Sequence, residues 1–152
     1  MHITVPINHY RYRATQRVDR ETGECHMPCI VLADDNHELR SLLAAALRRD
    51  DYDVVEARDG SELLTRLATQ HLRTEVDHPI DLVIADIRMP GCTGLEVLDG
   101  LRLSDWATPF ILMTSFGDPE THAEGHRLGA AAVFDKPFDL DDLRTIVRNL
   151  IH

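Results

Sequence analysis

From Cys29 onward, apolar and polar positions follow two alternating rhythms. Cys29–Ala33, Phe110–Met113, Ala130–Phe134 and the Leu82–Ala85 run inside Asp81–Asp86 are short and unbroken. Such runs suit strands covered on both faces, the habit of parallel sheets. Asp53–Ala57 is a more polar strand, expected nearer a sheet edge. Between the runs, apolar residues recur at helical spacing. Behind an Asn36 cap, Leu39, Leu42, Leu43, Ala46 and Leu47 predict one inward face. Leu63, Leu64 and Leu67 predict a second, in a helix opened by Asp59-Gly60-Ser61. Leu95, Leu98 and Leu101 follow Thr93-Gly-Leu-Glu96, a capping box whose hydroxyl and carboxylate satisfy orphan amides. Asp118-Pro119 opens a fourth helix that contains Gly125 and stops at Gly129, so it is intrinsically the weakest. Asp139 caps a last one, with Leu140, Leu143, Ile146, Val147 and Leu150 inward.

Five strand–helix repeats imply an α/β fold, a doubly wound (βα)5 parallel five-stranded sheet joined by right-handed crossovers. Residues 28–152 read as one domain without a linker. Residues 1–27 hold a short apolar start (Ile3, Val5, Ile7) and then a mixed run with no lasting period. They read as an N-terminal extension or arm. Thr69–Pro79 reads as a loose connection, long for its kind.

Charge narrows the partners. The net charge is −10, and it is unevenly placed. Residues 1–27 carry four arginines against three acids, and residues 28–152 carry 12 basic against 23 acidic residues. An acidic body repels phosphate backbones, which argues against nucleic acid. No apolar run is long enough to span a bilayer, and Met1-His-Ile-Thr-Val-Pro lacks the features of a secretory signal. Cys25, Cys29 and Cys92 make no disulfide framework, so a reduced cytoplasmic setting is expected.

Ligands of open parallel sheets bind outside the carboxyl ends of the strands. Those ends present Asp34-Asp35, Ala57, Asp86, Thr114-Ser115 and Lys136. A lone loop acid usually just stays solvated. A set of acids and hydroxyls with one ammonium at a single mouth is harder to dismiss. Two carboxylates about 4 Å apart repel by roughly 4 kcal/mol at an effective dielectric of 20, so the cluster needs a cation or a protonated acid. Oxygen donors without His or Cys suit a hard ion such as Mg2+. A carboxylate beside that ion is a candidate nucleophile toward phosphorus, with hydroxyl and ammonium receiving the phosphoryl oxygens. Lys136 is the sole lysine among sixteen basic residues, which suggests that a compact point charge is wanted there.

Asp34-Asp35, Asp86-Ile-Arg-Met-Pro-Gly91, Met113-Thr114 and Lys136-Pro137-Phe138 together resemble the receiver domain of two-component response regulators, across residues 28–151. The resemblance implies a flavodoxin-like strand order 2-1-3-4-5 and a stand-alone receiver. Asp86 would be the phosphoacceptor. Mg2+ would be held by Asp34, Asp35, Asp86 and the backbone carbonyl of Arg88. Thr114 would bond a phosphoryl oxygen, Lys136 would pair with the phosphoryl group, and Lys136-Pro137 would be cis. Partners would be a sensor histidine kinase or phosphotransfer protein, and a downstream protein reached through residues 119–151. A homodimer stays open, and no catalysis beyond Mg2+-dependent self-phosphorylation and autodephosphorylation is implied. The position where the family often has an aromatic switch residue is Val133 here. Arg88 and Phe116 occupy the two positions that tune phosphoryl hydrolysis in the family, and Phe116 is expected to exclude water and lengthen the lifetime of the modified state.

Three other functions compete. An aspartyl-nucleophile phosphatase needs a second acid two residues on, where Arg88 stands. A flavin-phosphate site needs a first turn rich in free amides, and Asp34-Asp35-Asn36 is acidic instead. A phosphorylation-independent scaffold would use the same body without the chemistry. His122 and His126 read as surface residues, His37 as solvated and Met89 as packed. The Cys25-His26…Cys29 group lacks a second ligand pair for zinc.

Overall fold

The computed structural model describes residues 17–18, 21, 23, 25–72 and 80–151. The expectations for Ile3, Val5, Ile7 and for 73–79 lie outside these residues. Within the arm, two short strands, β1 (Arg17–Val18) and β2 (Cys25–His26), pair antiparallel, a ladder too brief to leave a period in the sequence.

The main sheet comprises β3 (Cys29–Ala33), β4 (Asp53–Ala57), β5 (Ile80–Asp86), β6 (Phe110–Thr114) and β7 (Ala132–Asp135). All pairings are parallel and the order is β4-β3-β5-β6-β7, which is 2-1-3-4-5 when only these five are counted. The polar strand β4 is indeed at an edge. Helices α1 (His37–Arg49), α2 (Gly60–Leu72), α3 (Gly94–Leu103), α4 (Pro119–Arg127) and α5 (Leu140–Ile151) alternate with the strands.

Successive strand residues serve opposite faces. Val31, Ala33, Val83, Ala85, Phe110 and Leu112 pack with Leu63 and Leu67 of α2 and Val97, Leu98 and Leu101 of α3. Ile30, Leu32, Leu82, Ile84, Ile111 and Met113 pack on the other side with Leu43 and Leu47 of α1 and Leu143 and Val147 of α5. Both sets are almost fully buried, so the middles of these strands are apolar on both faces and polar residues stand only near their ends. At the start of β5, Asp81 takes the amide of Cys29 on its carboxylate (2.9 Å) where the β3–β5 register shifts.

Four expectations need correction. Leu42 is 58% exposed and Leu64 45% exposed, so both point outward; each lies about 100° around the helix from a buried leucine, Leu43 or Leu63. Ala44 takes the inward place on α1 instead. Thr69 to Leu72 belong to α2, not to the loose connection. The last strand starts at Ala132, after Gly129 has ended α4 at φ 92°.

Candidate functional site

Each site residue stands where a strand runs out. Asp34 follows β3, Asp86 ends β5, Thr114 ends β6 and Lys136 follows β7. In-register parallel pairing brings these ends level: Asp86 lies opposite Met113, and Thr114 opposite Asp135. Lys136 is anchored by its own amide on the Thr114 carbonyl (2.7 Å), and its bond to Pro137 is cis.

The Lys136 ammonium donates to Asp34 Oδ2 (2.7 Å) and to Asp86 Oδ2 (2.8 Å). Asp34 is fully buried and Asp86 nearly so, while Asp35 is exposed at the rim. One carboxylate oxygen from each of the three acids lies within 4.8 Å of the others. Asp34 Oδ1 accepts from the Asn36 amide (2.9 Å) and Asp86 Oδ1 from the Arg88 amide (3.2 Å). Burial pushes the Asp86 carboxyl above its ordinary range, against the pull of Lys136 and with help from Asp34. For Lys136, burial works downward, but the bonds and charges of Asp34 and Asp86 outweigh it and the pKa is raised. The ammonium therefore stays charged.

Three carboxylates against one ammonium leave the mouth two charges short of neutral, and every donor is oxygen. A hard divalent ion matches that deficit and that donor set. Cys29 offers no rival: burial, then Asp53 and Asp81, push its thiol up to about 12.

Thr114 is buried, and its hydroxyl accepts from the Phe116 amide (3.1 Å), which leaves the O–H proton free to be donated. Arg88 and Phe116 meet across the mouth: the guanidinium carbon lies 4.5 Å from the ring centroid. The sequence paired these two positions by resemblance but gave no sign of the stack. His122, read from the sequence as a surface residue, has its Nε2 2.8 Å from Asp135 Oδ1 and ties α4 to the end of β7. A second omission is Arg40, whose guanidinium donates to the Asp34 carbonyl (2.7 Å).

Doubly wound parallel sheet and acid–lysine mouth together define a class of α/β proteins that handle a phosphoryl group at a carboxylate. Residues 30–148 match the response regulator receiver domain, and the chain belongs to that family. It is 30% identical over 122 residues to sporulation initiation phosphotransferase F of Bacillus subtilis, covering 80% of this chain and 92% of that one. It is 36% identical over 122 residues to the regulatory protein AtoC of Escherichia coli, again over 80% of this chain but only 25% of that much longer protein. Among solved structures it resembles the chemotaxis response regulator CheY4 of Vibrio cholerae (TM-score 0.69, 28% identity, 82% of this chain and 99% of that one). It also resembles the response regulator TrrA of Thermotoga maritima in complex with Mg(2+)-BeF (TM-score 0.68, 30% identity, 82% and 99%). The chain is thus a receiver domain of two-component signalling, a signalling module and not an enzyme in the ordinary sense. Neither the phosphatase nor the scaffold reading is favoured by these relatives. Among the described residues no helix is long and apolar enough to cross a membrane.

Proposed function

We propose that Asp86 accepts a phosphoryl group from a phosphohistidine donor, a sensor histidine kinase or a phosphotransfer protein. A carboxylate oxygen of Asp86 attacks phosphorus, the P–N bond to the donor imidazole breaks, and an acyl phosphate remains on Asp86. Lys136, already charged and held between Asp34 and Asp86, turns to pair with the phosphoryl oxygens. The Thr114 hydroxyl donates to one of them. Asp34, Asp35, Asp86 and the Arg88 carbonyl would hold Mg2+, which when bound offsets charge gathering on the phosphoryl group. The Arg88 and Phe116 amides, bonded to Asp86 and Thr114, fix the loops that carry these groups.

The observation that carries the reading is Lys136 bridging Asp34 and Asp86 beside a third carboxylate. A donor also has somewhere to sit. An apolar hollow of about 480 Å3 borders the mouth, lined by Leu39, Leu42 and Leu43 of α1 and by Pro137, Phe138 and Leu140. The outward Leu42 suits a helix of the donor laid along α1. The output partner is reached through residues 119–151, where α4 is fixed to the site by His122 and Asp135.

Incubation with Mg2+ and acetyl phosphate, read by intact mass, should show one added phosphoryl group on the parent chain. The Asp86→Asn variant and EDTA-treated samples should show none. Uptake by Asp86→Asn would remove Asp86 from the role.

A further inference from the structure

Asp34 and Asp35 are consecutive, yet one is buried and the other lies at the rim, so the peptide unit between them decides where both carboxylates point. Three bonds fix Asp34 through its own groups: its amide to the Ala57 carbonyl (3.1 Å), Oδ1 to the Asn36 amide and Oδ2 to Lys136. None of them holds the carbonyl that leads into Asp35. Arg40 does. It stands one turn into α1, where its amide closes the first helical bond on Asn36 (3.0 Å). Its side chain runs back toward the helix start, Nη1 reaches the Asp34 carbonyl at 2.7 Å, and Nε lies 3.3 Å from Glu56 Oε1 on β4. The same guanidinium meets His37 Nδ1 through Nη2 at 3.1 Å. The side chain is only 12% exposed, so the fork is held by packing as well as by its partners.

We propose that Arg40 is a positioning residue for the cation-binding acids, clamping the Asp34–Asp35 peptide so that both carboxylates face Asp86. The inference rests on the Mg2+ reading of this mouth. Two physical effects of Arg40 have opposite signs. As a cation near three acids it opposes the binding of another cation, and Glu56, shared with Arg48 at 3.3 Å, offsets part of that. As a clamp it favours binding, because a ligand pair on a fixed peptide loses less freedom when the ion arrives. The proposal is that the clamp wins.

Titration calorimetry of the full chain with MgCl2 separates the two, with thermal melting run alongside. Arg40→Gln removes charge and fork; Arg40→Lys keeps the charge but cannot reach carbonyl and Glu56 with one planar group. Both should weaken Mg2+ binding, Arg40→Gln by roughly tenfold. Tighter or unchanged binding by a folded Arg40→Gln would overturn the clamp in favour of simple charge repulsion. Should Arg40→Gln fail to fold, Arg40→Lys decides: weaker binding supports the clamp, and parental affinity overturns it. A parent chain that binds no Mg2+ would sink the reading of the mouth itself, and this inference with it.

Discussion

At the scale of single residues, Asp86 and Asp34 share one ammonium, at 2.8 and 2.7 Å. The folded chain thus keeps a charge crowd that the unfolded chain relieves, and the raised Asp86 pKa is its measure, with burial the first cause. A carboxyl whose folded pKa lies above its ordinary value of 3.8 contributes most at pH below 3.8, and stability falls as pH rises through the folded value. Asp86→Asn removes the ionised form and leaves Lys136 to Asp34. Without Mg2+ at pH 7, that variant should be the more stable of the two, with the higher Tm. The gain should shrink as pH falls toward 4, because the raised pKa lets the parent carboxyl take up its proton sooner than an ordinary carboxyl does. Melting curves of both chains in EDTA from pH 4 to 7 check this. A constant or inverted difference would mean that Lys136 fully neutralises the pair.

At the scale of elements, α4 shows where sequence and structure part. Gly125 weakens the helix by its propensity, and the sequence shows only that cost. In the structure Gly125 is buried, and a Cβ there would meet Val133 Cγ2 at 2.9 Å and Leu112 Cδ1 at 3.1 Å. The glycine thus lets α4 lie close on β6 and β7. Gly125→Ala gains about 1 kcal/mol of propensity but costs about 1–3 kcal/mol of overpacking. A net loss of about 1 kcal/mol is expected, lowering Tm by about 3 °C. A higher Tm would show that α4 does not press on the sheet there. The sheet was legible because its inner strands are buried on both faces, and such strands declare themselves as runs without needing a partner. Helix faces were less so: Leu42 and Leu64 are apolar yet exposed, and only the tertiary neighbours decide which way the face turns. Of the site, the strand-end acids, Thr114 and Lys136 were legible because topology alone brings strand ends together. Arg40 was not, since an arginine on a helix is ordinary and its target is a backbone carbonyl that no residue type announces.

At the scale of the whole molecule, two loops meet beside the mouth that holds Asp86 and Thr114. One leaves β5 through Arg88, whose amide is bonded to Asp86; the other leaves β6 through Phe116, whose amide is bonded to Thr114. Each loop is fixed to a site residue at its root, and their side chains stack at 4.5 Å. Phe116 is 64% exposed, so the ring is not spent on the core, and it packs on the Arg88 guanidinium. An exposed cation–π contact is worth about 0.5–1 kcal/mol, which corresponds to a factor of roughly 2–5 in a rate that requires the cover to open. We expect the Arg88–Phe116 stack to shield the acyl phosphate from water; Phe116→Glu replaces the ring with a smaller, hydrated group that still pairs with Arg88. The phosphoryl group should then be lost roughly 2–5 times faster. Phe116→Leu, which keeps bulk but no π face, should fall between. The measurement is the decay of the phosphorylated mass after the phosphodonor is removed, with Mg2+ held constant. Were Phe116→Glu to lose phosphate no faster than the parent, the stack would not be what keeps water from Asp86, and the lifetime of the modified state would have to be set deeper in the mouth, among Asp34, Thr114 and Lys136.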